Sequence, residues 1–390
     1  MADVLLIDSF PPVQSFTAEV PQDPTITEPT ESSIDIDMLF SEFENAHNMV
    51  KKHTIRLHRG HVYEELMAKF RDESFNFSKD LFTLEMVLPN GETEIAEDNG
   101  GVVRDALTEF WKSFCDKCTL GNDCKVPFLR HDYSDADWKS IATVIFFGWS
   151  TQRYFPICLS KAFMSCAIYG MDIFSENKKN MISDFLSFLP EGESRILSAA
   201  LKDDFDQEEV MDILGSHECR VVPTKENLEK ILGEIAHKEV IQQPMYVKDC
   251  GFNQLTALGF DLNTSLETLY VSAKPNPRKV IKILSFPDEM SPVQSATSGF
   301  LTKYIRELNS DDLSKFLRFC TGSDLLLTTG NGENKPIFVR FNTLSGLSRR
   351  PVGHTCGQVL DVPEQYDSYI EFRAEFNSLL RSDIWIMDFV

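Results

Sequence analysis

The chain has 390 residues, of which 42% are hydrophobic, and a formal net charge of -22. Nucleic-acid binding depends mainly on lysines and arginines that neutralise phosphates, and an acidic surface is repelled by anionic membranes. We therefore expect a globular protein that binds neither nucleic acid nor membrane.

No apolar run reaches the roughly 20 residues of a spanning helix. The start of the chain lacks the basic region of a signal peptide, and nine scattered cysteines suit a reducing compartment, so we expect a cytoplasmic or nuclear protein, or both.

The first part of the chain, residues 1–52, is predicted to be a disordered, acidic and proline-rich tail. Its composition cannot bury enough apolar surface to offset the entropy of ordering. A short apolar run beside an acidic residue can add a strand to the edge of a partner's sheet. One such run in the tail resembles a SUMO-interacting motif: Val4, Leu5, Leu6 and Ile7. A chance apolar run is the alternative.

Ordered structure is expected from about His53. The stretch "LFTLEMV" alternates as a strand does, and Asn90-Gly91 is typical of a hairpin turn. Gly100-Gly101 indicates a tight turn before a helix, because apolar residues then recur at helical spacing. That spacing links Val103, Leu107, Phe110, Trp111 and Phe114. Helical patterns dominate between 135 and 240.

The last hundred residues have a mixed pattern. Residues 284–299 contain prolines and serines without periodicity, so we interpret them as a linker or hinge. A helical stretch, the strand "KPIFVRFN" and a final helix follow, the helix opened by a capping box of Ser368 and Glu371. The sequence therefore predicts an α+β protein in which a larger, mostly helical domain is hinged to a small α/β domain.

One cysteine stands apart in "RRPVGHTCGQVLDVPEQYDSY". Cys356 lies between a strand and the capped helix, and is either a half-buried structural thiol or a nucleophile. A thiol of ordinary pKa is suited to attack on a thioester, where one thiol replaces another. In an extended segment His354 would share the face of the thiol. A histidine that is merely solvated in the loop is the alternative.

Two other chemistries compete with this hypothesis. A cysteine protease needs a histidine oriented by a third group. None follows Cys356 in the chain, although His217 or His237 could approach it in space. Zinc would need a ligand set such as Cys115, Cys118, Cys124 and His131. Because the Cys-x2-Cys pair is not repeated, we interpret these cysteines as structural and expect no metal and no cofactor.

Several spaced blocks resemble the HECT-type ubiquitin-protein ligase family, of which the chain would be a divergent member. The family has a Phe-Thr-Gly-Ser block, a His-Thr-Cys catalytic loop and a Leu-x-Leu-Pro-x-Tyr stretch before its final helix. The matching residues are Phe319 to Ser323 with Cys320 intervening, His354-Thr355-Cys356, and Leu360 to Pro363 with Tyr366. Upstream, "EDNGGVVRDAL" is similar to an acidic, Gly-Gly and Arg-containing turn of the large lobe.

The resemblance implies a bilobal ligase, with an N-lobe over 53–290 and a C-lobe over 291–390. A ubiquitin-conjugating enzyme would dock on a subdomain at about 172–221, and ubiquitin would pass to Cys356 as a thioester and then to a lysine of a protein substrate. Thr355 would hydrogen-bond beside the thioester. Asp388, or Asp383, would accept the proton of the lysine amine.

The chain also departs from the family pattern. The docking subdomain is short and poor in aromatic residues, and Met387 stands where the family usually has phenylalanine. The alternative function is therefore a catalytically degenerate HECT-like module that binds ubiquitin or SUMO.

Overall fold

A computed structural model describes residues 52–71, 80–95, 100–170, 178–260, 262, 265–329, 333–344, 346 and 349–381. The SUMO-like run at Val4 to Ile7, Asp383, Met387 and Asp388 lie outside these residues. Within the described ranges, none of the helices combines the length and apolar character that crossing a membrane requires.

Helices dominate, and small sheets complete a mixed α/β fold. The helices are α1 (Val62–Phe70), α2 (Gly101–Cys118), α3 (Asp135–Gln152), α4 (Lys161–Tyr169), α5 (Lys178–Phe188), α6 (Glu191–Ala200), α7 (Gln207–Ser216), α8 (Leu228–Ala236), α9 (Met245–Val247), α10 (Gln254–Ala257), α11 (Leu266–Ala273), α12 (Pro277–Ile283), α13 (Pro292–Glu307), α14 (Ser310–Thr321) and α15 (Tyr369–Arg381). Two π-helical turns occupy His237–Gln242 and Lys248–Phe252. The strands are β1 (Lys52–His58), β2 (Leu81–Val87), β3 (Thr93–Ile95), β4 (Thr119–Leu120), β5 (Val126–Pro127), β6 (Leu284–Ser285), β7 (Ile337–Asn342), β8 (Val352–His354) and β9 (Val359–Pro363).

The first core forms around α2 and α3. The sheet β1-β2-β3 supplies one wall, with β1 parallel to β2 and β3 antiparallel to it. The predicted hairpin turn is confirmed, since Gly91 joins β2 and β3 with a φ of 84° that favours glycine. The apolar residues expected on one face of α2 are buried with the aromatic residues of α3, among them Trp138 and Phe147. Alternating and helical apolar spacing therefore predicted this core.

A second core is mostly helical and lies mainly among α5 to α8. It buries Phe185, Leu214 and the predicted face of α8, which includes Leu228 and Leu232. At the start of α8, the backbone N–H of Thr224 donates to Asn227 Oδ1 at 2.7 Å, and the N–H of Asn227 donates to Thr224 Oγ1 at 3.3 Å. These two reciprocal hydrogen bonds have the pattern of a capping box, with asparagine in place of glutamate.

The third core lies beneath a four-stranded sheet of order β6-β7-β9-β8. Strands β6, β7 and β9 are parallel, and β8 is antiparallel to β9. Helices α12 to α15 cover it and bury Phe316, Phe372 and Phe376. Tyr304 of α13 packs against Phe372 and Phe376 of α15 at 6.0 and 5.4 Å between ring centroids, and these contacts anchor α15 to the core.

The expected linker at 284–299 was wrong as a description of local structure. It contains β6, which pairs with β7, and the first two turns of α13. Ser291 and Gln294 form a capping box there, so the serines and prolines that suggested a hinge belong to a helix start.

Contacts join the described residues between 52 and 381 into one compact unit. A division into two lobes is not apparent from these contacts, and the lobe boundary at about 290 stays a prediction.

Candidate active site

Cys356 lies on a hairpin turn. Residues 355–358 connect β8 to β9, and the thiol is free and half-buried. The turn is tied to the sheet because the backbone N–H of Phe338 donates to the carbonyl of Gln358 at 2.9 Å. We expected a loop between a strand and the capped helix. Instead β9 intervenes, and α15 starts only at Tyr369. Half of the predicted capping box is present: the Glu371 N–H donates to Ser368 Oγ, whereas the Glu371 carboxylate accepts from the N–H of Asp367.

The guanidinium of Arg104 connects this turn to α2. Its Nη2 donates to the backbone carbonyl of Thr355 at 2.7 Å, and its Nε donates to the carbonyl of Thr321 at 2.7 Å. Its Nη1 donates to Gln152 Oε1 at 3.0 Å. Arg104 is buried, and burial lowers its pKa to about 10, whereas negative charge on Cys356 acts in the opposite direction. The arginine thus holds the cysteine loop through its backbone.

Gly101, the first residue of α2, packs closely against the cysteine turn. A Cβ atom at this position would lie 2.4 Å from Thr355 Oγ1 and 3.1 Å from Cys356 Sγ. Only glycine fits such a close approach without displacing the turn. The amino end of a helix carries partial positive charge, and this close approach brings that end of α2 to the cysteine turn.

His354 is oriented by a carboxylate. Its Nε2 lies 2.9 Å from Asp361 Oδ2, and Arg340 pairs with the same carboxylate at 2.7 and 3.0 Å. The His354 side chain is only 13% exposed. The interpretation of a histidine merely solvated in a loop was therefore wrong, and its ring is fixed at the base of the cysteine turn.

Two further polar side chains of α2, near Arg104, contact charged groups on other elements. Asp105 lies 2.6 Å from both Arg59 Nη1 and Arg318 Nε. One turn further along α2, Thr108 Oγ1 and the Tyr154 hydroxyl donate to Asp324 Oδ1 at 3.3 and 2.9 Å. Burial raises the pKa of Asp324, and these hydrogen bonds act against the rise.

Sequence reasoning missed the part that α2 takes in this site. It interpreted Gly100-Gly101 as a structural turn and assigned no role to Arg104. The sequence did contain one indication, because "EDNGGVVRDAL" resembles a turn of the family. That resemblance does not indicate which residues the turn contacts.

The cysteines considered as zinc ligands do not share one site. Cys115 Sγ lies 3.0 Å from Cys158 Sγ, and Cys118 Sγ lies 3.3 Å from the Tyr63 hydroxyl. Cys124 is buried, and its pKa is raised by burial and by Asp184. Within the described ranges no group of three or more histidines, cysteines and acidic residues is placed to hold a metal ion.

The histidines considered for a protease have other surroundings. His217 packs against Phe185 and lies 3.4 Å from Glu239 in the helical second core. His237 opens the first π-helical turn.

Comparison with known proteins identifies the region that carries the cysteine. Residues 262–380 match a family model described as "HECT-domain (ubiquitin-transferase)". This part of the chain is a HECT-type domain. The matched region contains His354, Thr355 and Cys356, the third core and the segment first interpreted as a linker. Among curated proteins, none matches the chain.

Proposed function

We propose that the chain is a ubiquitin-protein ligase in which Cys356 carries ubiquitin as a thioester. The observation that carries the proposal is the half-exposed thiol on a rigid hairpin turn inside the HECT-matching region. Backbone contacts fix the turn, so the sulfur has a defined position from which to meet a partner.

The reaction consists of two acyl transfers. The Cys356 sulfur attacks the thioester carbonyl carbon of a charged conjugating enzyme, whose own sulfur leaves and takes up a proton. A substrate lysine amine then attacks the new thioester, an amide forms, and the Cys356 thiol is restored. The lysine must lose protons in this step, and Asp388 is our candidate acceptor.

The amino end of α2 supports both transfers. Each passes through a tetrahedral intermediate with an anionic oxygen, and helix dipoles stabilise such charge when they are already oriented. Gly101 lets this end approach the sulfur. Thr355, whose side chain is buried beside Gly101, is proposed to hydrogen-bond next to the thioester, and His354 is proposed to shape the other side of the turn.

The partners follow from the same proposal. They are a ubiquitin-conjugating enzyme, docked at about 172–221, ubiquitin itself and a protein substrate. Contact with SUMO through Val4 to Ile7 is a separate proposal, based on the pattern of that run. Two lobes, divided at about residue 290, would let one thiol meet two partners in turn.

The decisive experiment incubates the protein with activating enzyme, a panel of conjugating enzymes and ubiquitin. We expect an adduct on the protein that reductant removes and that is missing in Cys356→Ala. Cys320→Ala is a matched control, because Cys320 is buried in the third core and has no exposed thiol. An adduct that persists in Cys356→Ala, or that Cys320→Ala removes instead, would contradict the assignment.

The second candidate is a noncatalytic module that binds ubiquitin or SUMO. The departures from the family pattern favour it: the segment at about 172–221 is poor in aromatic residues, and Met387 stands where the family usually has phenylalanine. No adduct with any panel member, together with binding of ubiquitin or SUMO in calorimetry, would support this candidate. Release of a cleaved peptide would indicate the protease instead.

A further inference from the structure

Two thiols far from each other in sequence meet beside the first core. Cys115 lies near the carboxyl end of α2, and Cys158 lies in the turn before α4. Their sulfur atoms are 3.0 Å apart, and both residues are half-buried. The pair is separate from Cys356, and its chemistry does not depend on the proposed ligase activity.

Both backbones at this contact are held in place. The Thr119 hydroxyl donates to the carbonyl of Cys115 at 2.6 Å. The Lys125 N–H donates to the carbonyl of Cys158 at 2.8 Å. A disulfide has sulfurs about 2.05 Å apart, so the two sulfurs need to approach each other by only about 1 Å to bond.

We propose that Cys115 and Cys158 are a redox modification site that forms a reversible disulfide when the protein meets a peroxide. The peroxide oxidises the Cys115 sulfur to a sulfenic acid and is itself reduced to water. The Cys158 sulfur then attacks the sulfenic sulfur, and the hydroxyl leaves with the Cys158 proton as a second water. The protein loses two protons and two electrons, which balances the reduction of one hydrogen peroxide to two waters.

The short distance between the sulfurs favours the second step. The hydrogen bond with Cys115 and burial raise the pKa of the Cys158 thiol, and oxidation of Cys115 removes the Cys115 S–H that makes this hydrogen bond. Once formed, the sulfenic acid has the Cys158 thiol as its neighbour and condenses with it before a further peroxide adds.

The disulfide would join two segments that contact the same carboxylate. Thr108 on α2 and Tyr154 both donate to Asp324. Cys115 follows Thr108 on the same helix, and Cys158 follows Tyr154 in the same turn region. A covalent bond between them closes a loop of 43 residues, and closing a loop removes conformational entropy from the unfolded chain. We expect oxidation to stabilise the fold.

The test treats the full-length protein with hydrogen peroxide at about one equivalent, then blocks free thiols and digests without reductant. We expect a cross-linked peptide pair containing Cys115 and Cys158, a mass loss of about 2 Da and recovery of both peptides after reduction. The melting temperature should rise on oxidation and return on reduction. Cys115→Ser and Cys158→Ala should each abolish the cross-link and the shift.

Cys118→Ser is the matched control, because it lies one turn along α2 against Tyr63 and should keep both effects. A disulfide between Cys115 and Cys118, or sulfinic acid on Cys115 without a cross-link, would each overturn the proposal. A cross-link that leaves the melting temperature unchanged would overturn its stabilising role.

Discussion

The two faces of α2 bury different kinds of side chain. One face is apolar and packs into the first core. It comprises Val103, Leu107, Phe110 and Phe114. The other is polar or small and contacts the HECT-matching region at the Cys356 turn and at residues 318–324. It comprises Gly101, Arg104, Asp105 and Thr108.

The difference separates stability from the positioning of the cysteine. The apolar face gains free energy from leaving water and needs only close packing. The polar face must find a partner for every buried donor and acceptor, because an unpaired one costs about 1–3 kcal/mol. Its partners are the Thr355 carbonyl, Arg318 and Asp324. Changes on the first face should therefore unfold the protein, and changes on the second should move the cysteine turn.

The largest expected effect concerns the apolar face. Phe110→Ala should lower the free energy of unfolding by about 3–5 kcal/mol, because it leaves a cavity in the first core. Denaturation with urea measures the loss. Phe338→Ala is the control, since Phe338 is 48% exposed on β7 and should cost far less. Equal losses would mean that the first core is not packed as described.

On the polar face, Arg104→Ala should lower the free energy of unfolding by about 3 kcal/mol, since charged hydrogen bonds to two buried carbonyls are lost. It should also speed alkylation of Cys356 by a thiol reagent, because the turn is no longer held against α2. Peptide mass spectrometry after timed alkylation follows this one cysteine.

Two controls sharpen the Arg104 result. Arg56→Ala removes an exposed pair with Glu85 and should change stability by less than about 1 kcal/mol. Arg104→Lys keeps the positive charge but loses the planar guanidinium with its several N–H donors. It should therefore slow alkylation of Cys356 only part of the way back to the rate of the unmodified chain. Unchanged alkylation in Arg104→Ala would show that the arginine does not position the turn.

A smaller effect is expected at Gly101. A methyl group there collides with Thr355 Oγ1, so Gly101→Ala should displace the turn at a cost of about 1–3 kcal/mol. Gly299→Ala is the matched control inside α13, where no atom lies within 4 Å of the added carbon. There the substitution should stabilise the helix by about 0.5–1 kcal/mol. Similar changes in the two variants would contradict the close approach at Gly101.

Local patterns predicted the elements but not their polar contacts. The strand alternation of β2, the helical spacing of α2 and the cap at Ser368 are each set by near neighbours, so they could be read from the sequence. The α2 residues at 101, 104, 105 and 108 follow helical spacing too. On composition alone such a polar stripe indicates a solvated face, because its buried partners are some 200 residues away, as for Arg104 and Thr321.

The cysteine was located by sequence, and its surroundings were not. The resemblance placed Cys356 in a HECT-type region, and that family is now shown for residues 262–380. The prediction of a linker at 284–299 was wrong because a helix start with a capping box uses serine and proline, the residue types that also mark loops. The pairing of His354 with Asp361 arises from the register of β8 and β9, which no spacing rule fixed in advance.

The smallest expected effect is a pH dependence of the free energy of unfolding. It comes from Asp324, which accepts a hydrogen bond from Thr108 on the polar face of α2. Burial raises the pKa of Asp324 above its ordinary value of 3.8, so the folded protein binds a proton there more tightly than the unfolded chain does. Stability contributed by this group therefore falls as pH rises from about 3.8 through the folded pKa, with a slope of at most about 1.4 kcal/mol per pH unit. Asparagine does not titrate, so the stability of Asp324→Asn relative to the unmodified chain should increase with pH across that window and level off above it.

Asp137 is a control of opposite sign: burial opposes the change, but hydrogen bonds from Ser134 and Arg71 lower its pKa. Its contribution is present above 3.8 and is lost as pH falls through the folded pKa, so Asp137→Asn should lose stability relative to the unmodified chain at neutral pH and recover it in acid. Denaturation curves for the three proteins at matched pH values test both signs together. Parallel pH profiles for the two variants would mean that Asp324 is not desolvated by its contact with α2, and that the polar face is open to water.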